Sequence, residues 1–112
     1  MKYLMFVCSD TEPDAIPEAP GEIQTWFNDI NGRGKWLDGD RLRPRQEAKT
    51  IRVRSGKVQV TDGPFAETKE GIVGFDILEC DSLEDAIEIA ARHPMARAGR
   101  IEVRAFWPHE DP

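Results

Sequence analysis

Cysteine is scarce in this chain: Cys8 and Cys80 are the only two among 112 residues. A small disulfide scaffold uses more, so the framework here has to come from packing. Both thiols fall in apolar runs, where a free cysteine behaves as a small buried hydrophobe. Histidine is equally rare, with His93 and His109 only. No H-x-x-x-H or C-x-x-C spacing occurs, so no metal site is expected. The chain also lacks G-x-G-x-x-G, P-loop and nucleophile-elbow patterns. Their absence argues against dinucleotide, nucleoside-triphosphate and serine-hydrolase chemistry, and no cofactor is expected. No long apolar span, signal peptide or lipidation motif is visible, so the expectation is a cytoplasmic protein that does not enter a membrane. Positive charge is outweighed: 15 Lys and Arg against 21 Asp and Glu leave −6. An acidic surface repels phosphate backbones, and nucleic acid is not an expected partner.

What is present is globular. Apolar residues make up 39% and charged residues 32%, a balance that supports one domain over residues 1–112 with a single modest core. The run from Lys2 to Cys8 reads as a strand covered on both faces. Ser9 to Pro20, with Asp10, Glu12, Asp14 and three prolines, reads as an acidic loop. Ile23, Trp26, Phe27 and Ile30 fall on one helical stripe, with Pro20 suited to the helix start and Gly32 or Gly34 to its end. A strand beginning at Lys35–Leu37 is expected to break at Gly39 and close at Pro44.

Residues 51–60 alternate as a hairpin. A Ser55-Gly56 turn sets Val53 opposite Val58 and Ile51 opposite Val60. The strand from Ile72 to Cys80 turns Val73, Phe75 and Ile77 one way and Gly74, Asp76 and Leu78 the other. A second helix is capped by Asp81 or Ser82, carries Leu83, Ala86, Ile87, Ala90 and Ala91 as its apolar stripe, and stops at Pro94. Arg100 to Trp107 is the last strand. The basic stretch Arg41, Arg43, Arg45, Lys49, Arg52 and Arg54 reads as a solvated strand face, with a phosphate or carboxylate ligand as the alternative.

The order β-α-β-(hairpin)-β-α-β predicts an α+β fold: a ferredoxin-like antiparallel sheet with two helices on one face and an inserted hairpin. The other face is left open, with Leu4, Phe6, Leu78 and Phe106 expected on it. A monomer would expose that patch, so a homodimer packed sheet against sheet is expected. Asp76, Glu102 and Arg104 then lie near the interface, as ion pairs or in a ligand pocket between the sheets.

The segment Asp62-Gly63-Pro64-Phe65-Ala66-Glu67-Thr68-Lys69-Glu70 reads physically as a rigid turn followed by a charged loop. It also resembles the motif that names the DGPF branch of the YCII-related proteins. Gly39-Asp40-Arg41-Leu42-Arg43-Pro44, Ala90-Ala91-Arg92-His93-Pro94 and Gly99-Arg100-Ile101-Glu102-Val103-Arg104 are similar to further segments of that family, in the same order. The resemblance implies a dimeric α/β-barrel type of assembly and a pocket near the DGPF loop. Some relatives are fused to, or encoded beside, sigma factors of the extracytoplasmic-function type. A His–Asp pair is the proposed catalytic device of the shorter YCII proteins. This chain has no His in its first helix or the strand after it, so that pair has no residue-by-residue counterpart.

His93 is the side chain best suited to acid–base work near neutral pH. Asp62 is the other candidate acid or base, with a turn-forming role as the alternative. Phe65, Glu67, Lys69 and Arg104 are the expected ligand contacts. The resulting expectation is a homodimer that binds an unknown small molecule, with cofactor-independent acid–base chemistry. The alternatives are a module for a regulatory protein partner, served by the acidic loop, and a structural dimer without a ligand.

Overall fold

A computed structural model describes residues 1–63 and 71–108. Strand β1 (Lys2–Ser9) leads to helix α1 (Glu22–Gly32) and strand β2 (Trp36–Arg41). A 3₁₀ turn (Arg45–Glu47) precedes the hairpin strands β3 (Lys49–Arg54) and β4 (Lys57–Asp62). Strand β5 (Ile72–Glu79), helix α2 (Leu83–Arg92), the short helix α3 (Met95–Ala98) and strand β6 (Gly99–Ala105) complete the order. The main sheet runs β2-β5-β1-β6, with every described pairing antiparallel. Both long helices pack on one face. The architecture is α+β, and its sheet stays open instead of closing into a barrel.

The core lies between that face and the helices. Tyr3 and Met5 of β1 and Leu78 of β5 meet Trp26 and Ile30 of α1, and Ala86, Ile89 and Ala90 of α2. Helix α1 ends where glycine allows it. Gly34 adopts φ 71°, its N–H donates to the Asn31 carbonyl, and the Lys35 N–H donates to that of Ile30. These two bonds are the Schellman pattern and satisfy the last carbonyls. Helix α2 starts at Ser82, whose hydroxyl accepts from the Asp85 N–H at 3.1 Å, the cap expected there. The Asp85 carboxylate in turn holds the Lys35 ammonium, both half-buried. Hydrogen bonding between them raises the Lys35 pKa and lowers that of Asp85.

Several local expectations need correction. Strand β2 runs through Gly39 without a break, because the bare glycine backbone lets β5 come close. A Cβ at that position would stand 2.6 Å from the Phe75 carbonyl oxygen. The buried face of α2 is Ala86, Ile89 and Ala90. Leu83 and Ile87, expected in the stripe, are exposed. Ile89 supplies the anchor while the two alanines let the helix backbone approach the sheet. Strand β1 is covered on one face only in the single chain: Tyr3, Met5 and Val7 are buried, while Leu4 and Phe6 are half-buried on the other side.

The open face also differs in membership. The register sets Leu4 beside Ile77 and Phe6 beside Phe75, so the apolar centre is Leu4, Phe6, Phe75 and Ile77. Leu78 is fully buried on the helix side, paired with Tyr3. Asp76, expected near an interface, pairs with Met5 and shares the helix-covered face. Phe106 lies past the end of β6 and is exposed.

The hairpin has the expected register, with Val53 opposite Val58 and Ile51 opposite Val60. Ser55 at φ 52° and Gly56 at φ 74° form the two-residue turn whose left-handed residues match the twist of the strands. The pair extends further than expected, from Lys49 to Asp62. It forms a separate two-stranded sheet.

Candidate functional site

The helix-covered face has a hole in its packing. A cavity of about 510 Å³ opens between α1, the β2 and β5 edge of the sheet, and the start of α3. Its walls are largely apolar and aromatic, with Ile23, Trp26, Phe27 and Trp36 among the lining residues. The polar groups converging on it include Asp76, His93 and Arg41. A concave, mostly apolar space of this size with a few convergent polar groups has the general form of a small-molecule site.

Asp76 is held by local backbone design. An irregularity in β2 between Trp36 and Asp38 breaks the regular pairing with β5, and such bulges re-aim side chains. The Trp36 indole N–H donates to Asp76 Oδ1 at 2.9 Å. Gly39, opposite Asp76, leaves the carboxylate room: a Cβ there would sit 2.6 Å from the same Oδ1. The Trp36 ring is steadied by Phe27, with centroids 4.8 Å apart. Burial disfavours the charged carboxylate and lifts the Asp76 pKa to about 6, against the smaller opposite pull of the Trp36 N–H.

His93 is placed by the end of α2. Pro94 forces it out of the helix, at φ −67° and ψ 131°, as the preceding-proline rule expects. Its Nδ1 accepts the Met95 N–H at 3.0 Å. That bond fixes the neutral tautomer with the proton on Nε2, a donor. The ring stands edge-on to Trp26 with centroids 4.6 Å apart, and the Trp26 N–H is anchored on the Ile89 carbonyl at 2.9 Å. Burial lowers the His93 pKa to about 4. At pH 7 the two groups are therefore a carboxylate able to take a proton and an uncharged N–H donor.

The residues singled out from sequence are scattered. His93 lines the cavity. Asp62 ends β4, is exposed, and pairs with Lys49, whose hydrogen bond lowers its pKa. It is not among the cavity residues. Next to it, Gly63 takes φ 84°, the positive value a tight Asp-Gly turn needs. Arg104 pairs with Leu4 on the open face of the sheet and is exposed. Phe65, Glu67 and Lys69 lie outside the described residues. Among the described residues, no three His, Cys, Asp or Glu side chains form a group that could hold a metal ion.

Trp36 was not among the expected site residues, and Asp76 was expected beside a sheet-to-sheet interface, in an ion pair or a ligand pocket there, instead of at a cavity under the helices. One signal was available: Asp76 alternates with Gly74 and Leu78 on one face of a strand, and a carboxylate on a core-facing position needs a partner.

The match to known proteins is broad in family and thin in function. A protein of Rhizobium meliloti (strain 1021), itself uncharacterised, is 48% identical over 66 residues, covering 57% of this chain and 53% of the relative. The match thus spans about half the length of that relative. The YCII-related domain matches residues 3–110, and on that coverage the chain belongs to the YCII-related family.

Proposed function

We propose that this protein binds a small, largely apolar molecule in the cavity between Trp26 and Trp36 and moves a proton on it without a cofactor. Asp76 acts as the base and the His93 Nε2–H as a neutral donor to a polar atom of the ligand. The observation that carries this reading is that a half-buried carboxylate and a buried imidazole line the same cavity with opposite displacements: an acid raised to about 6 and an imidazole lowered to about 4. Such perturbations cluster at functional sites. A base with a pKa near the working pH is also the efficient one. In this reading Asp76 takes the role first assigned to Asp62. Arg41, at the end of β2 and on the cavity, suits an anionic group on the ligand.

The assembly we infer is a homodimer that covers the open sheet face. Its support is the contiguous apolar centre Leu4, Phe6, Phe75 and Ile77, which one chain leaves half-exposed. The helices, sheet order and inserted hairpin suit the ferredoxin-like unit from which such dimers are built.

The test is a thermal-shift screen of a metabolite collection on wild type, Asp76→Asn and Asp62→Asn. A ligand at a hundred times its Kd stabilises by about 2.7 kcal/mol. Hits retained by Asp62→Asn and lost by Asp76→Asn support the cavity. Hits lost by Asp62→Asn and kept by Asp76→Asn would move the site to the hairpin base.

A further inference from the structure

Four apolar side chains of the β3–β4 hairpin stand in solvent. Ile51, Val53, Val58 and Val60 are 64%, 55%, 68% and 61% exposed, and their cross-strand register puts them on one face. Side chains of this size at such exposures present on the order of 400 Å² of contiguous apolar surface, a patch that marks an interaction site more often than a bare monomer surface. A two-stranded hairpin without a packing partner is marginal in water. The overall shape agrees. The radius of gyration is 16.5 Å with extents of 48 × 47 × 19 Å, whereas a compact domain of this length has a radius near ~13 Å.

Charge identifies what fits the patch. From Lys49 to Asp62 the hairpin carries four cations (Lys49, Arg52, Arg54, Lys57) and one carboxylate, a net +3. The whole chain carries −6, so the remainder carries −9. A basic arm stands on an acidic body. Hairpin against hairpin is electrostatically disfavoured, and hairpin against a second body is favoured. The second body offers a matching surface. The open face centres on Leu4, Phe6, Phe75 and Ile77; its β2 edge is acidic, with Asp38 and Asp40 paired with Ile77 and Phe75, while on the β6 side Glu102 and Arg104 pair with Phe6 and Leu4 and offset each other in charge.

We propose that β3–β4 is an exchanged arm, whose apolar face lies over the open sheet face of a second copy of this chain. Its cations lie beside the partner copy's β2 edge. Two arms and two receiving faces together remove on the order of 1,600 Å² from water, the size of a standard specific interface. This deepens the homodimer reading above, on which it rests, by naming the element that makes the contact.

The experiment is sedimentation velocity on the full chain over ~1–100 µM, a span that brackets micromolar dissociation constants. Wild type is compared with Val53→Thr/Val58→Thr and Asp38→Lys/Asp40→Lys. Threonine keeps the branched β-carbon a strand prefers, and all four positions are exposed in the single chain, so far-UV circular dichroism should be unchanged. The expected result is a wild-type dimer whose Kd weakens at least tenfold in the arm variant and measurably in the body variant. A dimer of unchanged Kd in the arm variant overturns the arm and leaves the homodimer standing. A dimer weakened by the arm variant and untouched by the body variant overturns the seating on the sheet face. A monomeric wild type over the whole range overturns both the arm and the homodimer.

Discussion

Asp62 and Asp76 are the same side chain in two regions that treat it oppositely. At the base of the hairpin, Asp62 is solvated and paired with Lys49, and its pKa falls. Beside the cavity, Asp76 has an indole N–H and little water, and its pKa rises to about 6. The more conspicuous sequence motif surrounds the first, and the more perturbed chemistry belongs to the second. A turn motif records what the backbone needs, whereas reactivity follows desolvation and partners.

The largest expected effect tests how tightly the cavity region is built. Gly39→Val should destabilise by about 3 kcal/mol, since overpacking against backbone cannot be relieved by side-chain motion. Urea denaturation reads this as a lower midpoint with an unchanged slope. A near-neutral Gly39→Val would mean that β2 and β5 can separate at that point and that Asp76 is less confined.

Asp76→Asn should stabilise the fold. With a folded pKa of about 6 and an unfolded value near 3.8, native Asp76 binds more protons between those limits. Stability from this group therefore falls as pH rises from about 4 to 6 and stays reduced above that window. Removing the charge should add on the order of 1–2 kcal/mol at pH 8, after discounting for partial exposure, and nothing below pH ~4.

His93 contributes the opposite slope. His93 has a folded pKa of about 4 against 6.5 unfolded, so the unfolded chain binds more protons between them. Its contribution is complete above pH 6.5 and is lost as pH falls toward 4. In wild type the two slopes run against each other over nearly the same window. Asp76→Asn should leave a stability that climbs from pH 4 to 6.5, and His93→Gln one that declines from pH 4 to 6. Parallel profiles in the two variants would refute the opposed displacements. The smallest effect belongs to Asp62→Asn, whose denaturation midpoint at pH 7 should stay close to that of wild type, because an exposed ion pair contributes little.

Legibility follows the same division. Local rules were enough for the hairpin register, the Ser82 cap, the glycine-ended first helix and the extended His93, since each is decided by neighbours in sequence. The α2 face was misread because Leu83 and Ile87 make as good a stripe as Ile89, and only the approach of the sheet selects between them. Asp76 was placed on the wrong face because its environment comes from Trp36 and Gly39, some forty residues away in sequence and adjacent only across β2 and β5. Alternation assigned Leu78 and Asp76 to a common face, but which face the helices cover depends on crossover geometry that no single strand records.

The three tryptophans make this site visible to light. Trp36 donates its indole N–H to Asp76, Trp26 rests against His93, and Trp107 is 95% exposed. A Trp107→Phe protein would emit from the two cavity indoles alone. Its spectrum should then titrate with the carboxylate that Trp36 touches, and a bound ligand would announce itself as a shift in colour without any label.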